Sequence, residues 1–311
     1  MTDDQILISV VIPNYNQSHL LSRAIESVLA NTVQPVDIVV VDDGSTDGGC
    51  EAVCARNSMV RCIRQSNQGL TAARNNGAPH ATGNWLLFLD ADDWLLPNAI
   101  EELGRAARQS SDLGFVIGRS ERRSAVPSEE PRQSPPINVT GNVYHDILVP
   151  GAYWHPAQLL LNAQIFQECG GFKLRHGSED TELLLRLAIR HPFQSVPAVV
   201  AIYWQHSMSI SKNSWKQYRA TVTCFETHMS DPEFDARNRK VVLFARACRL
   251  DFYARGILLS GLADIRMGNG AGQLIRALGF VSVRRPAVLL WFMRLLIVRL
   301  FRGASQPAPN V

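Results

Sequence analysis

The sequence predicts an α/β protein built on a doubly wound, mainly parallel sheet, with a helical C-terminal extension. Three observations carry that expectation. Within the first ninety residues, four short segments of strand character, most of them apolar, alternate with stretches of helical period. Each run ends in a cluster of polar residues. From Ser214 onward the apolar residues follow a helical period alone. The division drawn from this is a sheet domain over 1–212 and a helical region over 213–311.

The first run, Ile6–Ile12, is apolar and β-branched and stops at Pro13-Asn14-Tyr15-Asn16, a buried strand feeding a turn. Ser18 is the expected N-cap of a helix whose Leu20, Leu21, Ala24, Ile25, Val28 and Leu29 share one face. Pro35 separates it from a second strand, Asp37–Val41, which ends in Asp42-Asp43-Gly44-Ser45-Thr46-Asp47. A helix through Cys50 and Cys54 follows, then a strand over Val60–Arg64 and the turn Asn67-Gln68-Gly69-Leu70. Thr71 is the expected cap of the next helix, which carries Arg74 and Asn75.

The fourth run, Trp85–Leu89, suits a strand buried on both faces and delivers Asp90, Asp92 and Asp93 at its end. At ~4 Å and an effective dielectric of ~20, each like-charged pair costs about 4 kcal/mol. A cation relieves that repulsion, and Mg²⁺ or Mn²⁺ suits carboxylate and phosphate oxygens. The other reading is a solvated acidic turn capping a helix begun by Pro97, with Asp93 favoured by its dipole. In doubly wound sheets, ligands sit beyond the C-terminal ends of the strands. Asn14, Tyr15, Asp42, Asp43, Asn67 and the aspartates from Asp90 to Asp93 all fall at such ends, which points to one crevice.

Farther along, Glu101–Arg108 reads as helix and Leu113–Gly118 as strand. The polar, proline-rich interval Arg119–Thr140 reads as a flexible loop across the crevice rim or as an inert insertion. A short helix near Val143–Val149, a strand over Ala157–Asn162 and a helix ending at Gly170-Gly171-Phe172 come next. After His176, three acids (Glu179, Asp180, Glu182) cluster at a helix start, where Ser178 or Asp180 could equally serve as a cap. A strand over Phe193–Tyr203 leads to His206 and Ser209-Ile210-Ser211, and a lone histidine there is more often structural than a ligand.

The remaining helices break at Pro232 and Gly268–Gly272, and the last runs from Pro286 to Phe301. Arg284, Arg285, Arg294, Arg299 and Arg302 flank or line it without an acid, as in an interfacial helix on anionic lipid with Trp291 near the headgroups. Its alternatives are packing on its own domain or on a second subunit, the latter making a homo-oligomer. The tail SQPAPNV is expected to be disordered.

A formal charge of +3 and a pI near 8.6 are too mild to imply nucleic acid as a partner. Six cysteines without a CxxC pair or a histidine at zinc spacing fit reduced thiols of a cytoplasmic protein. The start MTDDQILISV lacks the basic region and apolar core of a signal peptide, and no apolar run reaches ~18 residues without charge.

Among phosphate-binding chemistries, G-x-G-x-x-G is missing after the first strand, and G-x-x-x-x-G-K-[ST] is missing altogether. An aspartyl-phosphate enzyme would place its acids after the first strand, and a sugar nucleotidyltransferase would carry a glycine-rich basic loop there. A nucleotide site built from carboxylates and amides, with a metal between ligand and protein, is left.

The motifs SVVIPNYN (Ser9–Asn16), VVVDDGSTD (Val39–Asp47) and NQGLTAARNNGAPHATGNWLLFLDADDW (Asn67–Trp94) resemble those of the family-2 glycosyltransferases, inverting sugar transferases of the GT-A fold. Gly170-Gly171-Phe172, Glu179-Asp180 and His206–Ser211 continue the resemblance in order, over roughly residues 6 to 211. It implies a nucleoside-diphosphate sugar donor, most often a UDP-sugar, and a Mn²⁺ or Mg²⁺ cofactor. Asp43, with Asp42 beside it, would accept a hydrogen bond from the base. Pro13, Tyr15 and Asn67 would line the nucleoside, and Arg74 would lie near uridine or phosphates. Asp90 and Asp92 match the D-x-D that holds ribose and metal. The extra Asp93 leaves open which of the three carboxylates holds the ion; the expected ligands are Asp92 foremost, with Asp93, and His206 would lie near the diphosphate or metal. Asp180 matches the catalytic base. The acceptor expected is a glycan or lipid-linked hydroxyl, and the location cytoplasmic, peripheral on the inner membrane face. A non-catalytic nucleotide-sugar-binding or scaffold protein is the alternative.

Overall fold

The computed structural model describes residues 5–126, 129–137, 143–148, 154–174, 177–206 and 209–302. His176, Val149, the tail SQPAPNV and the stretches 127–128 and 138–140 of the polar interval lie outside the described residues, as do the side chains of Arg299 and Arg302.

The first half contains β1 (Ile8–Asn14), α1 (Ser18–Leu29), β2 (Asp37–Asp42), α2 (Cys50–Cys54), β3 (Val60–Arg64), α3 (Leu70–Gly77), β4 (Trp85–Phe88), β5 (Trp94–Leu95) and α4 (Ala99–Ala107). Then come β6 (Phe115–Ser124), β7 (Arg132–Gln133), α5 (Val143–Ile147), β8 (Leu159–Asn162), α6 (Ala163–Glu168), α7 (Glu179–Ala188) and β9 (Phe193–Gln205). The chain continues with α8 (Ser214–Met229), α9 (Arg239–Arg266), α10 (Gly272–Arg284) and α11 (Pro286–Arg302).

The sheet order is β3-β2-β1-β4-β8-β6-β9-β5, with β7 paired to β6. Its first four strands are parallel. The chain steps outward from β1 to β2 to β3, then returns across β1 to β4. That reversal sends the connecting helix to the opposite face, because crossovers are right-handed. Accordingly α1 and α2 pack with Val10, Ile12, Ile38 and Val40, whereas α3 packs with Val11, Val39 and Val41. Burial on both faces is why these strands read as continuous apolar runs. The reversal leaves a crevice between the C-terminal ends of β1 and β4.

Beyond β4 the sheet becomes mixed: β8 is antiparallel to β4 and to β6, and β6 is parallel to β9. The small antiparallel contact of β5 with β9 pairs Trp94 with Ile202. This pairing is tertiary and escapes any sequence periodicity, yet it carries the turn after β4 to the end of β9.

Several sequence expectations need correction. Ser18 is the first residue of α1, not its cap. Its N–H and Oγ both donate to Asp47 Oδ2, at 3.0 and 2.9 Å. Thr71 lies inside α3, which starts from Gly69 (φ +91°), and donates its hydroxyl to the Leu174 carbonyl at 2.7 Å. Pro13 belongs to β1, opposite Val41. No helix begins at Pro97; α4 starts at Ala99 after Asn98. The polar interval after Arg119 is partly strand, since β6 runs to Ser124 and pairs with β7 at Glu121–Gln133 and Arg122–Arg132. Its polar residues belong to a sheet margin exposed to water, where strands alternate rather than run apolar.

The four C-terminal helices share a third core that includes Tyr218, Leu258, Val281, Val288 and Phe292. The described part of α11 therefore packs on its own chain along one face. Trp291 lies against Arg255, whose guanidinium carbon is 4.8 Å from the ring centroid, and Arg285 pairs with Asp251 at 2.6 Å. No described helix is long and apolar enough to cross a membrane.

Candidate functional site

The polar residues at the strand ends form three connected groups. In the first, Asp43 is 3% exposed and spans two loops. One oxygen accepts from Gln65 Nε2 (2.7 Å) and Gln68 N–H (2.8 Å), the other from Gly69 N–H (2.8 Å). A carboxylate has about four lone-pair directions, so one is left for a ligand. Asp42 accepts from Ser45 N–H at 3.0 Å and pairs with Arg64 at 3.5 Å. Gly44 (φ +77°) lets the two loops meet, because a Cβ there would stand 2.9 Å from Asn67 N. Tyr15 (47% exposed) and Asn67 are on the open side, while Pro13 and Asn14 are buried beneath.

The second group surrounds Arg74, 1% exposed on α3. Its Nη2 donates to both oxygens of Asp90, at 2.6 and 2.9 Å, and its Nη1 reaches Glu179 at 3.3 Å and Asp180 at 3.5 Å. One guanidinium thus joins acids about a hundred residues apart in sequence. Arg74, expected near uridine or phosphates, is a buried bridge whose two terminal nitrogens are engaged by carboxylates.

The loop before α7 explains how Asp180 gets there. Gly171 has φ +63°, and a Cβ on it would stand 2.5 Å from Asn75 Oδ1. That oxygen accepts from Phe172 N–H at 2.9 Å, while Asn75 Nδ2 donates to the Phe172 carbonyl at 2.8 Å. Phe172 packs on Phe88 and beneath Arg74. Arg186 donates to the carbonyls of Cys169 and Gly171 at 2.7 and 2.6 Å, fixing α7 to the same loop. Glu179 and Asp180 then occupy the first turn of α7, where its dipole favours negative charge. Ser178 precedes them with φ 57° and makes no side-chain cap, so capping does not account for this sequence. Burial and the Glu179 charge raise the Asp180 carboxyl well above the usual range, against the pull of Arg74.

The third group is Asp90, Asp92 and Asp93, whose ligand atoms lie within 4.8 Å of one another. Asp92 Oδ2 is 2.9 Å from His206 Nε2. Asp93 is fully buried. Its Oδ1 accepts from Trp204 N–H at 2.8 Å, and its Oδ2 has no hydrogen-bond partner among the described residues. Burial and the neighbouring carboxylates push both Asp92 and Asp93 upward. A buried oxygen without a hydrogen bond, with His155 Nδ1 3.9 Å away, together with mutual repulsion and an O/N donor set, fits a hard divalent cation. Asp92 and His206 face the cleft, whereas Asp93 anchors the end of β9 two residues before His206.

Sequence reasoning missed Arg23, which donates to the Asp92 carbonyl at 2.6 Å and stacks on Trp94 at 4.0 Å. It missed also the stabilising contact of Trp94 with Trp204, 5.8 Å between ring centroids. Arg23 lies on the polar face of α1, between His19, Glu26 and Ser27, so no sequence signal sets it apart from a solvated arginine.

A model described as glycosyl transferase family 2 matches residues 9–176. Glycosyltransferase GlyA of Streptococcus pneumoniae is 37% identical over 106 residues, 33% of this chain and 15% of that protein. The uncharacterized glycosyltransferase EpsJ of Bacillus subtilis is 32% identical over 130 residues, 40% of this chain and 38% of its own. The chain thus spans well under two thirds of the length of these relatives. In fold, it resembles Staphylococcus aureus TarS residues 1–349 in complex with UDP-GlcNAc, with TM-score 0.64, 16% identity and coverage of 91% and 83%. It also resembles the mannosyltransferase PcManGT from Pyrobaculum calidifontis in complex with GDP-Man and Mn²⁺, with TM-score 0.61, 19% identity and coverage of 95% and 81%.

Proposed function

The chain belongs to glycosyl transferase family 2 and has the GT-A fold, and from that premise we propose that it is an inverting, metal-assisted transferase. It moves a sugar from a nucleoside-diphosphate sugar, a UDP-sugar in this reading, to a hydroxyl of a glycan or lipid-linked acceptor. The observation that carries this is the Arg74 bridge, which holds Asp90 on the donor side and Asp180 across the cleft in one cluster.

Inversion is a single in-line displacement and requires one carboxylate on the acceptor side. Asp180 takes the acceptor hydroxyl proton as that oxygen attacks the anomeric carbon and the bond to the diphosphate breaks. Tyr15, Asn67, Asp42 and Asp43 receive the nucleoside over the buried Pro13. Asp90, held by Arg74, faces the ribose. Asp92 and His206, with Asp93 behind them, would hold Mn²⁺ or Mg²⁺, which would supply positive charge beside the leaving diphosphate.

A thermal-shift panel of nucleotide sugars with and without Mn²⁺ tests the site. A donor at 100 times its Kd stabilises the fold by about 2.7 kcal/mol. The Mn²⁺-dependent part of that shift should vanish in Asp92→Asn. A panel in which no nucleotide sugar shifts the melting point would remove the donor assignment. Donor-dependent release of nucleoside diphosphate with an acceptor extract separates a transferase from a non-catalytic nucleotide-sugar-binding or scaffold protein.

Membrane association is part of the same reading, in reduced form. With Val288 and Phe292 buried and Arg285 paired, the described side chains that α11 offers to lipid are Leu290 (65% exposed), Met293 (47%) and Arg294. Leu290 and Met293 are three apart and share a face. The chain should co-sediment with anionic vesicles, and a Leu290→Glu, Met293→Glu double variant should stay in the supernatant with its melting point unchanged. Deleting the helix is the poorer test, because it uncovers the third core. Failure of the unaltered chain to bind would end the lipid reading.

A further inference from the structure

Three of the six cysteines meet at the sheet edge opposite the β9 side of the fold. Cys50 and Cys54 are four apart on α2 and share its inner face, both 2% exposed. Cys62 faces them from β3, in register with Val40 of β2. The Cys50 and Cys62 sulfurs are 3.6 Å apart, and the three sulfurs lie within 4.8 Å of one another. None of the three takes part in the site described above.

We propose that Cys50, Cys54 and Cys62 form a second metal site, a trithiolate for a thiophilic d¹⁰ cation such as Zn²⁺ or Cu⁺. Zinc–sulfur bonds of ~2.3 Å at tetrahedral angles put neighbouring sulfurs about 3.8 Å apart. The Cys50–Cys62 separation is already there within a few tenths of an ångström. The third sulfur needs at most a side-chain adjustment of about an ångström to join them. Soft thiolates select such cations over the hard ones suited to the aspartates. Cys62 is half-buried on β3, the edge strand, so an ion enters from solvent without crossing the core. Arg64, two residues on, lies on the same side of β3 and acts electrostatically on Cys62, offsetting the excess negative charge of three thiolates. Three protein ligands leave a fourth position open to water, which makes the site exchangeable rather than a closed structural one.

Placement gives the site a consequence. The loop from Asp43 to Gly49 runs directly into Cys50, and Arg64 donates to the Ser45 carbonyl at 3.0 Å. A cation drawing α2 onto β3 fixes that loop at its far end. Occupancy therefore stabilises the chain and stiffens the segment that holds Asp43.

The test uses the full chain, reduced and stripped of metal, titrated with Cd²⁺ while thiolate-to-cadmium charge-transfer absorption is followed. The aspartate cluster gives no such band, so the readout is independent of the glycosyl-transfer reading and survives its failure. One equivalent per chain should bind, with a rise in melting temperature. Cys50→Ser, Cys54→Ser and Cys62→Ser should each weaken binding by roughly tenfold or more. Cys248→Ser, at an exposed cysteine on α9, should change nothing. Cys62→Val keeps the site apolar and decides the matter if a serine variant does not fold. No charge-transfer band in the unaltered chain, or a band that survives Cys62→Val, overturns the proposal.

Discussion

Asp180→Asn should reduce transfer by roughly 10²–10⁴-fold while nucleotide-sugar binding is retained, because general-base catalysis contributes on that scale. The substitution keeps the shape of the side chain and removes only its basicity. Folding should survive as well, since Arg74 keeps Asp90 and Glu179 as partners. Binding can be followed by the donor-induced thermal shift and turnover by diphosphate release. The pH profile supplies a second readout. A base works deprotonated, and burial beside Glu179 raises the Asp180 carboxyl, so activity should climb with pH along a limb above the ordinary carboxylate range. Because the two acids share Arg74, that limb belongs to the cluster rather than to one residue. Turnover of Asp180→Asn near the wild-type rate would take the base role away from this residue.

Arg74→Met should destabilise the fold by about 3–5 kcal/mol, the usual cost of removing one partner from a buried ion cluster. Methionine fills much of the same volume over Phe172, so lost packing contributes little. What is lost is the buried positive charge between Asp90, Glu179 and Asp180. Their mutual repulsion then opposes closure of α7 onto α3. Urea unfolding at neutral pH should show the loss. Lowering the pH should recover part of it: Asp180, raised by burial and the Glu179 charge, binds its proton more readily when folded than when unfolded, so acid favours the fold. Arg74→Lys should fall between, since a single ammonium cannot span three carboxylates as a planar fork does. A variant as stable as the unaltered chain would mean that the bridge adds little.

The two halves of the fold were not equally legible. The inner parallel strands could be found because burial on both faces writes itself as unbroken apolar runs, and Asp37–Val41 and Trp85–Leu89 agree to within one residue. The half-exposed edge strand Val60–Arg64 agrees to the residue. Past β4 the sheet becomes mixed and partly exposed, and the signal weakens. The strand extending into Arg119–Ser124 reads as loop because its residues are polar and its main partner, β9, is about eighty residues away. Local caps failed for a related reason. Ser18 and Thr71 have the right chemistry for capping, but their hydroxyls are taken by Asp47 and Leu174 from elsewhere in the chain.

By itself the sequence determined which residue types stand at the ends of which strands, and so the presence of a polar crevice with acids in two separated segments. Order and spacing suffice for that, because each strand carries its own C-terminal residues with it wherever it is placed. Tertiary structure alone decided how those residues divide their work. Arg74 is a buried bridge, Asp93 an anchor for the end of β9, and Asp92 with His206 the accessible pair. The reason is physical. Charge, burial and hydrogen bonding at one side chain are set by groups many residues away, and three adjacent aspartates of identical chemistry are distinguished only by what each one meets.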